Sequence, residues 1–147
     1  MARRRKAPLP AATRGVVVLD SGAITNVAFA DALACSILED LSGRGWTICI
    51  PAVTLAEVIS GRPRTDAAVE RLVKRVANTV DCGETLAKAA GILRTRSGGS
   101  KKFSPSGIDA IVAAVADANQ PSIVLTTDAD DLSALLVSTE LATVIRV

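Results

Sequence analysis

Three aspartates occupy positions from which they could share a task. Asp20 follows the apolar run Val16-Val-Val-Leu19, Asp128 follows Ile123-Val-Leu125 across two threonines, and Asp109 falls in the first turn of a helix announced by Ser104-Pro105-Ser106. Short, continuous, β-branched runs such as the first two read as strands buried on both faces of a parallel sheet. Sites in open α/β sheets lie outside the carboxyl ends of the strands, so acids placed there gather on one rim. Gathered carboxylates repel. Two unit charges about 4 Å apart at an effective dielectric of about 20 interact by about 4 kcal/mol, so such a cluster needs protons, cationic side chains or a metal ion. Hard oxygen donors suit magnesium, with manganese as a substitute. These ions keep several waters, polarise a phosphoryl oxygen and generate a hydroxide nucleophile. The chemistry within reach is phosphodiester hydrolysis.

Composition narrows the alternatives. The chain has 147 residues, 49% of them hydrophobic, which suits one domain with a real core. It has no histidine, which excludes a Ser-His-Asp triad and histidine-bound zinc and leaves any acid-base work to carboxylates. Cys35, Cys49 and Cys82 are widely spaced and form no Cys-x-x-Cys pair, as expected of core cysteines in a reducing cytoplasm. With only Phe29, Phe103 and Trp46 aromatic, a base-stacking surface is not expected, and any nucleic-acid contact has to be electrostatic. The net charge of +2 is outweighed by Arg3, Arg4, Arg5 and Lys6, so basicity is concentrated in the arm 1–14, which is expected to be disordered. Neither a signal peptide nor a membrane-spanning run is expected, and a cytoplasmic protein is.

Each acid also has a structural explanation. Asp109 completes a Ser-x-x-Asp capping box with Ser106, and Asp128 suits a turn or the N-cap of the segment Ala129 to Val137. At about 100° per residue Asp109 lies roughly 60° beyond Val112, on an alanine flank bordering the core. Glu57 lies about 200° from Leu55, opposite the Leu55, Val58 and Ile59 stripe, so periodicity places it in solvent. Convergence, rather than any single position, favours the catalytic reading.

The elements that must position these residues alternate. After the first strand, residues 23–42 read as two helical segments broken near Ala30-Asp31, then Trp46-Thr-Ile-Cys-Ile50 as a strand. Pro51 is expected to open a helix through Ile59, which Gly61-Arg-Pro63 ends, and Asp66 to Asn78 to form an amphipathic helix. A short strand over Thr79–Cys82, a helix from Glu84 to Arg96 and a basic loop from Ser97 to Ser104 follow. That loop lacks P-loop spacing. Thr143-Val-Ile-Arg-Val147 closes as an edge strand. Residues 15–147 therefore read as one α/β domain around a mostly parallel sheet of four or five strands.

Four of these segments together resemble a known family. Val17-Val-Leu-Asp20-Ser-Gly-Ala-Ile24, Ile50-Pro-Ala-Val-Thr-Leu-Ala-Glu57-Val, Gly107-Ile-Asp109-Ala-Ile-Val-Ala-Ala114 and Val124-Leu-Thr-Thr-Asp128-Ala-Asp-Asp131-Leu132 are similar, in order, to the four acid motifs of PIN domains of the VapC type, the ribonuclease toxins of bacterial toxin-antitoxin pairs. Each motif is weak alone, and four in order are strong. The resemblance covers nearly everything after residue 15 and overrules the helical wheel at Glu57. It implies a PIN-like three-layer fold, a magnesium-dependent endoribonuclease, a homodimer, and a VapB-like antitoxin that covers the acidic site. Asp20, Glu57, Asp109 and Asp128 would be catalytic metal ligands, with Asp131 ranked below them as a ligand to a second ion or a partner for Arg. Many members carry Ser, Thr or Asn two residues after the first acid, where this chain has Gly22.

Rival readings come from other classes. A receiver-like signalling domain also binds magnesium at strand ends, but wants a paired acid after the first strand and a Lys after the last, and this chain has neither. A haloacid-dehalogenase-like phosphatase wants an Asp at position 22. A catalytically idle PIN-fold binding module keeps the same residues without turnover. RNA contacts would fall among Arg62, Arg64, Arg71, Lys74, Arg94, Arg96, Lys101 and Lys102, with transfer RNA as the candidate substrate.

Overall fold

The computed structural model describes residues 14–98 and 105–147. The expected basic arm, apart from Arg14, and most of the basic loop with Lys101 and Lys102 lie outside the described residues. Strand β1 (Val16–Leu19) leads into α1 (Ser21–Ala28) and α2 (Ala32–Gly43), then β2 (Thr47–Pro51), a 3-10 turn (Ala52–Thr54) and α3 (Leu55–Val58). Helix α4 (Pro63–Val76), β3 (Thr79–Val80) and α5 (Glu84–Ser97) follow. After the gap come α6 (Gly107–Ala118), β4 (Ser122–Thr126), α7 (Ala129–Leu135) and β5 (Ala142–Arg146).

The five strands form one parallel sheet in the order β3-β2-β1-β4-β5. The α/β class and the parallel sheet are as the sequence led us to expect, and β5 is an edge strand, with β3 at the other edge. Alternation along the strands divides the core in two. Val16 and Val18 of β1 join Val124 of β4 against α5, α6 and α7, whereas Val17 and Leu19 join Ile123 and Leu125 against α1, α2 and α4. Strands covered on both faces have no polar side to present, which is why β1 and the centre of β4, residues 123–125, are continuously apolar. Cys49 packs within the first of these cores, where burial pushes its thiol up to about 12.

Several boundaries differ from expectation by one or two residues, and two differ for a reason the structure shows. Pro51 ends β2 with extended backbone, φ −61° and ψ 123°, and the Thr54 hydroxyl donates to its carbonyl at 2.8 Å. That bond closes a tight turn, so the expected helix from Pro51 to Ile59 is instead a 3-10 turn followed by one turn of α-helix. Helix α4 begins at Pro63 rather than Asp66, because proline's fixed φ and missing N–H suit the first helical position.

Asp66, 9% exposed, ties the start of α4 to the loop before it. It accepts hydrogen bonds from Ser60 N–H at 2.9 Å, from the Ser60 hydroxyl at 2.9 Å and from Gly61 N–H at 2.8 Å. These bonds, led by Ser60 N–H, hold its carboxyl below the ordinary value of 3.8 against the opposing effect of burial. A depressed acid binds fewer protons folded than unfolded, so its stabilisation is present above the ordinary value and is lost as pH falls through the folded one. Asp66→Asn is expected to lower Tm at pH 7 and to flatten the decline of Tm on acidification. Melting curves with identical pH dependence in the two proteins would rule this anchoring role out.

Candidate functional site

The strand order places the site. The chain builds outward from β1 to β2 and β3, then returns to the other side of β1 with β4 and β5, so the connections diverge between β1 and β4. Sites in open α/β sheets lie at the carboxyl ends of the two strands where the direction reverses. Asp20 immediately follows β1 at this point, and its N–H donates to the Leu125 carbonyl of β4 at 3.1 Å. Asp128 lies two residues beyond the end of β4.

Asp20 is only 6% exposed, and both carboxylate oxygens are engaged. Oδ1 accepts from Ala23 N–H at 2.8 Å, making Asp20 the N-cap of α1, and Oδ2 accepts from the Thr126 hydroxyl. Burial raises its pKa above the ordinary value; the bonds from Thr126 and Ala23 oppose this, and the charges of Asp109 and Glu57 reinforce it. The negative charges of α3 and α6 therefore both act on the acid at the end of β1. Glu57 is exposed, as the helical wheel indicated, yet still lies within electrostatic range of Asp20. A wheel describes which side of a helix a residue faces, and one turn of helix leading off a strand end can hold an exposed side chain over the rim.

Asp109 forms the capping box that the sequence offered as its structural role. Its N–H donates to Ser106 Oγ at 3.1 Å and its Oδ2 accepts from Ser106 N–H at 3.2 Å. The same carboxylate acts on Asp20 and on Asp131, so capping and membership of the acid cluster coexist. Asp128 stands at the N-cap of α7 but makes no capping bond through its side chain. Asp131 lies in the first turn of that helix, and its pKa is raised by burial first, then by the charges of Asp128, Asp109 and Asp130. Asp20 thus feels Asp109 and Glu57, and Asp131 feels Asp109 and Asp128, so Asp109 is the acid common to both sets.

Two participants were not named from the sequence. Thr126 is fully buried and joins the strands' ends: it donates to Asp20 and accepts from Asp128 N–H at 2.8 Å. A polar residue ending an apolar buried strand just before an acid was the available signal. Arg146, at the end of β5, donates from Nη1 to the Thr127 carbonyl at 3.1 Å and pairs with Asp130 at 3.6 Å, bringing a cation to the same rim.

The donors are carboxylate and hydroxyl oxygens, which fit magnesium or manganese in kind. Among the described residues, no three His, Cys, Asp or Glu side chains stand close enough together to hold a metal ion between them. Magnesium does not require three: it is commonly held by one or two carboxylates, with waters and substrate phosphate filling the remaining positions.

Comparison with solved structures supplies the fold type. The chain is similar to one in the crystal structure of VapBC2 from Rickettsia felis bound to a DNA fragment from their promoter, with TM-score 0.69 and 16% identity over 90% of this chain and 98% of that one. It is also similar to a chain in the structure of FitAB bound to an IR36 DNA fragment, with TM-score 0.64 and 16% identity over 88% and 94% of the two chains. The fold is PIN-like. No family model matches the sequence, and no curated protein does, so the likeness is carried by backbone arrangement. Within this PIN-like fold the four acid-bearing segments sit, in chain order, after β1, after β2, at the start of α6 and after β4. Among the described residues no single helix is long and apolar enough to cross a membrane.

Proposed function

We propose that this protein is a metal-dependent endoribonuclease of the VapC type, the toxin of a toxin-antitoxin pair acting in the cytoplasm. The observation that carries this reading is Asp20: a buried acid at the divergence point of the sheet, on which the charges of Glu57 and Asp109 converge. Asp20, Glu57, Asp109 and Asp128 would be the acids of which one or two ligate the ion directly and the others reach it through its waters, with Asp131 serving a second ion. Bound magnesium or manganese supplies the positive charge that polarises a phosphoryl oxygen and lowers the pKa of a water. The protein's own contribution is orientation. Ala23 N–H and the Thr126 hydroxyl fix the Asp20 carboxylate, and the capping box fixes Asp109. RNA, with transfer RNA as the candidate, would approach through Arg62, Arg64 and the exposed Arg71 and Lys74 of α4.

Without metal the acids need another cation, and an antitoxin arginine placed among them would provide charge-assisted hydrogen bonds. A VapB-like antitoxin and a homodimer complete the proposed assembly. The direct test is cleavage of cellular RNA by the purified protein in magnesium, in manganese and in chelator. Cleavage only with metal supports the reading; a folded protein that binds metal and RNA but cleaves nothing is an idle binding module.

Melting curves test the ligand set separately. Asp128 is exposed and caps nothing through its side chain, so Asp128→Asn removes repulsion without removing a structural bond. It is expected to raise Tm slightly in chelator. Magnesium at about 100 times its dissociation constant is expected to stabilise the wild type by roughly 2.7 kcal/mol and the variant by much less, at fixed ionic strength. Equal magnesium shifts in the two proteins would place Asp128 outside the ligand set.

A further inference from the structure

Gly22 occupies the second position of α1, two residues after Asp20, where glycine is a poor choice on conformational grounds. Its surroundings explain it. A β-carbon built on Gly22 would lie 2.1 Å from Thr127 Oγ1, 2.9 Å from Thr127 Cγ2 and 3.0 Å from Thr127 Cβ. These separations are far inside van der Waals contact, and because the Thr127 β-carbon is itself that close, turning its side chain does not fully clear the space.

Thr127 is held in place from two sides. Its carbonyl accepts from Arg146 Nη1 at 3.1 Å, and its neighbour Thr126 is bonded to Asp20 and to Asp128 N–H. The residue is exposed, between the strand end that orients Asp20 and the acid Asp128. Its hydroxyl therefore lies at the acid rim, over the start of α1, in the volume that a side chain at position 22 would otherwise fill.

We infer that Gly22 is glycine because Thr127 reaches across it, and that Thr127 there presents its hydroxyl to the acid rim. The inference rests on the metal-dependent reading above. Thr127 is a positioning residue: a hydroxyl can donate to a carboxylate or accept from a metal-bound water, and so orient either without taking part in bond-making. Residue 22 and residue 127 then form a coupled pair in which only one member can carry a side chain.

Four variants test this: Thr127→Val, which keeps the volume and removes the hydroxyl, Gly22→Ser, Thr127→Gly, and the double variant Gly22→Ser with Thr127→Gly. The readouts are Tm in chelator and the magnesium concentration giving half of the maximal Tm shift. Thr127→Val is expected to melt like wild type in chelator but to need about tenfold more magnesium, the scale of losing a group that orients a metal ligand. Gly22→Ser is expected to lower Tm, and the double variant to recover both Tm and magnesium midpoint beyond Thr127→Gly alone. A wild-type magnesium midpoint in Thr127→Val, or a double variant no better than Thr127→Gly, overturns the inference. A wild type with no magnesium shift overturns the metal-dependent reading itself, and the inference falls with it.

Discussion

Asp20→Asn is expected to reduce RNA cleavage by more than about a hundredfold while leaving the chain folded. Residues that only orient a metal ligand are worth about 10- to 100-fold, and Asp20 is proposed as a ligand itself. The fold should survive because asparagine is a good N-cap and its side-chain oxygen can still accept from Ala23 N–H, the bond that Asp20 makes at 2.8 Å. The pH dependence gives a second readout. Burial, the largest effect on Asp20, raises its pKa above the ordinary 3.8. A raised acid binds protons more tightly folded than unfolded. The stability this confers is complete below the ordinary value and is lost as pH rises through the folded one. The variant lacks that loss, so its Tm should vary less from acid to neutral pH, whereas wild-type cleavage should rise as Asp20 ionises. Rates measured across this range at fixed magnesium, and Tm measured across it in chelator, check both. Cleavage close to the wild-type rate would remove Asp20 from the reaction.

The sequence made some of this site readable for physical reasons. A strand buried on both faces must be continuously apolar, so β1 and β4 declared themselves, and the acids just beyond them could be placed at strand ends without knowing the strand order. The order itself is a matter of long-range pairing. That β1 lies between β2 and β4, which sets two acid-bearing strand ends side by side, is visible only once the sheet is assembled. Pro51 misled because it suits both a helix start and the last residue of a strand, and the bond from Thr54 that decides between them is not a pattern in sequence. The Glu57 wheel described exposure correctly and said nothing of proximity, because α3 is too short for its far side to lie away from the rim. Arg146 was hidden for a different reason: it reads as one more polar residue on an edge strand, and only the parallel register of β5 with β4 carries it to the acids.

Thr126→Val is expected to show how far the site depends on one buried hydroxyl. Valine keeps the shape and the β-branched preference of the strand, so the change is almost purely polar. It leaves the buried Asp20 Oδ2 without the donor it has from Thr126, and Asp128 N–H without its acceptor at 2.8 Å. An unsatisfied buried group costs about 1–3 kcal/mol, more when charged, and the Asp128 bond is only part-buried, so the loss should be about 3 kcal/mol at neutral pH and come mainly from Asp20. For a domain of this size that lowers Tm by roughly 6–12 °C. The hydrogen bond from Thr126 is also the strongest influence holding the Asp20 pKa down against burial, so removing it raises that pKa further. The sign follows directly. With its folded pKa raised more, the variant loses more stability than wild type as pH rises from the ordinary acid range, so the Tm deficit is largest at neutral pH and shrinks on acidification, where a protonated Asp20 carries no buried charge. The rising limb of cleavage should move to higher pH in parallel. Thr126→Ser restores the hydroxyl and should recover most of the neutral-pH Tm and the position of that limb. A deficit that stays constant across pH, or one that Thr126→Ser fails to relieve, would assign the effect to packing at the end of β4 rather than to the bond with Asp20.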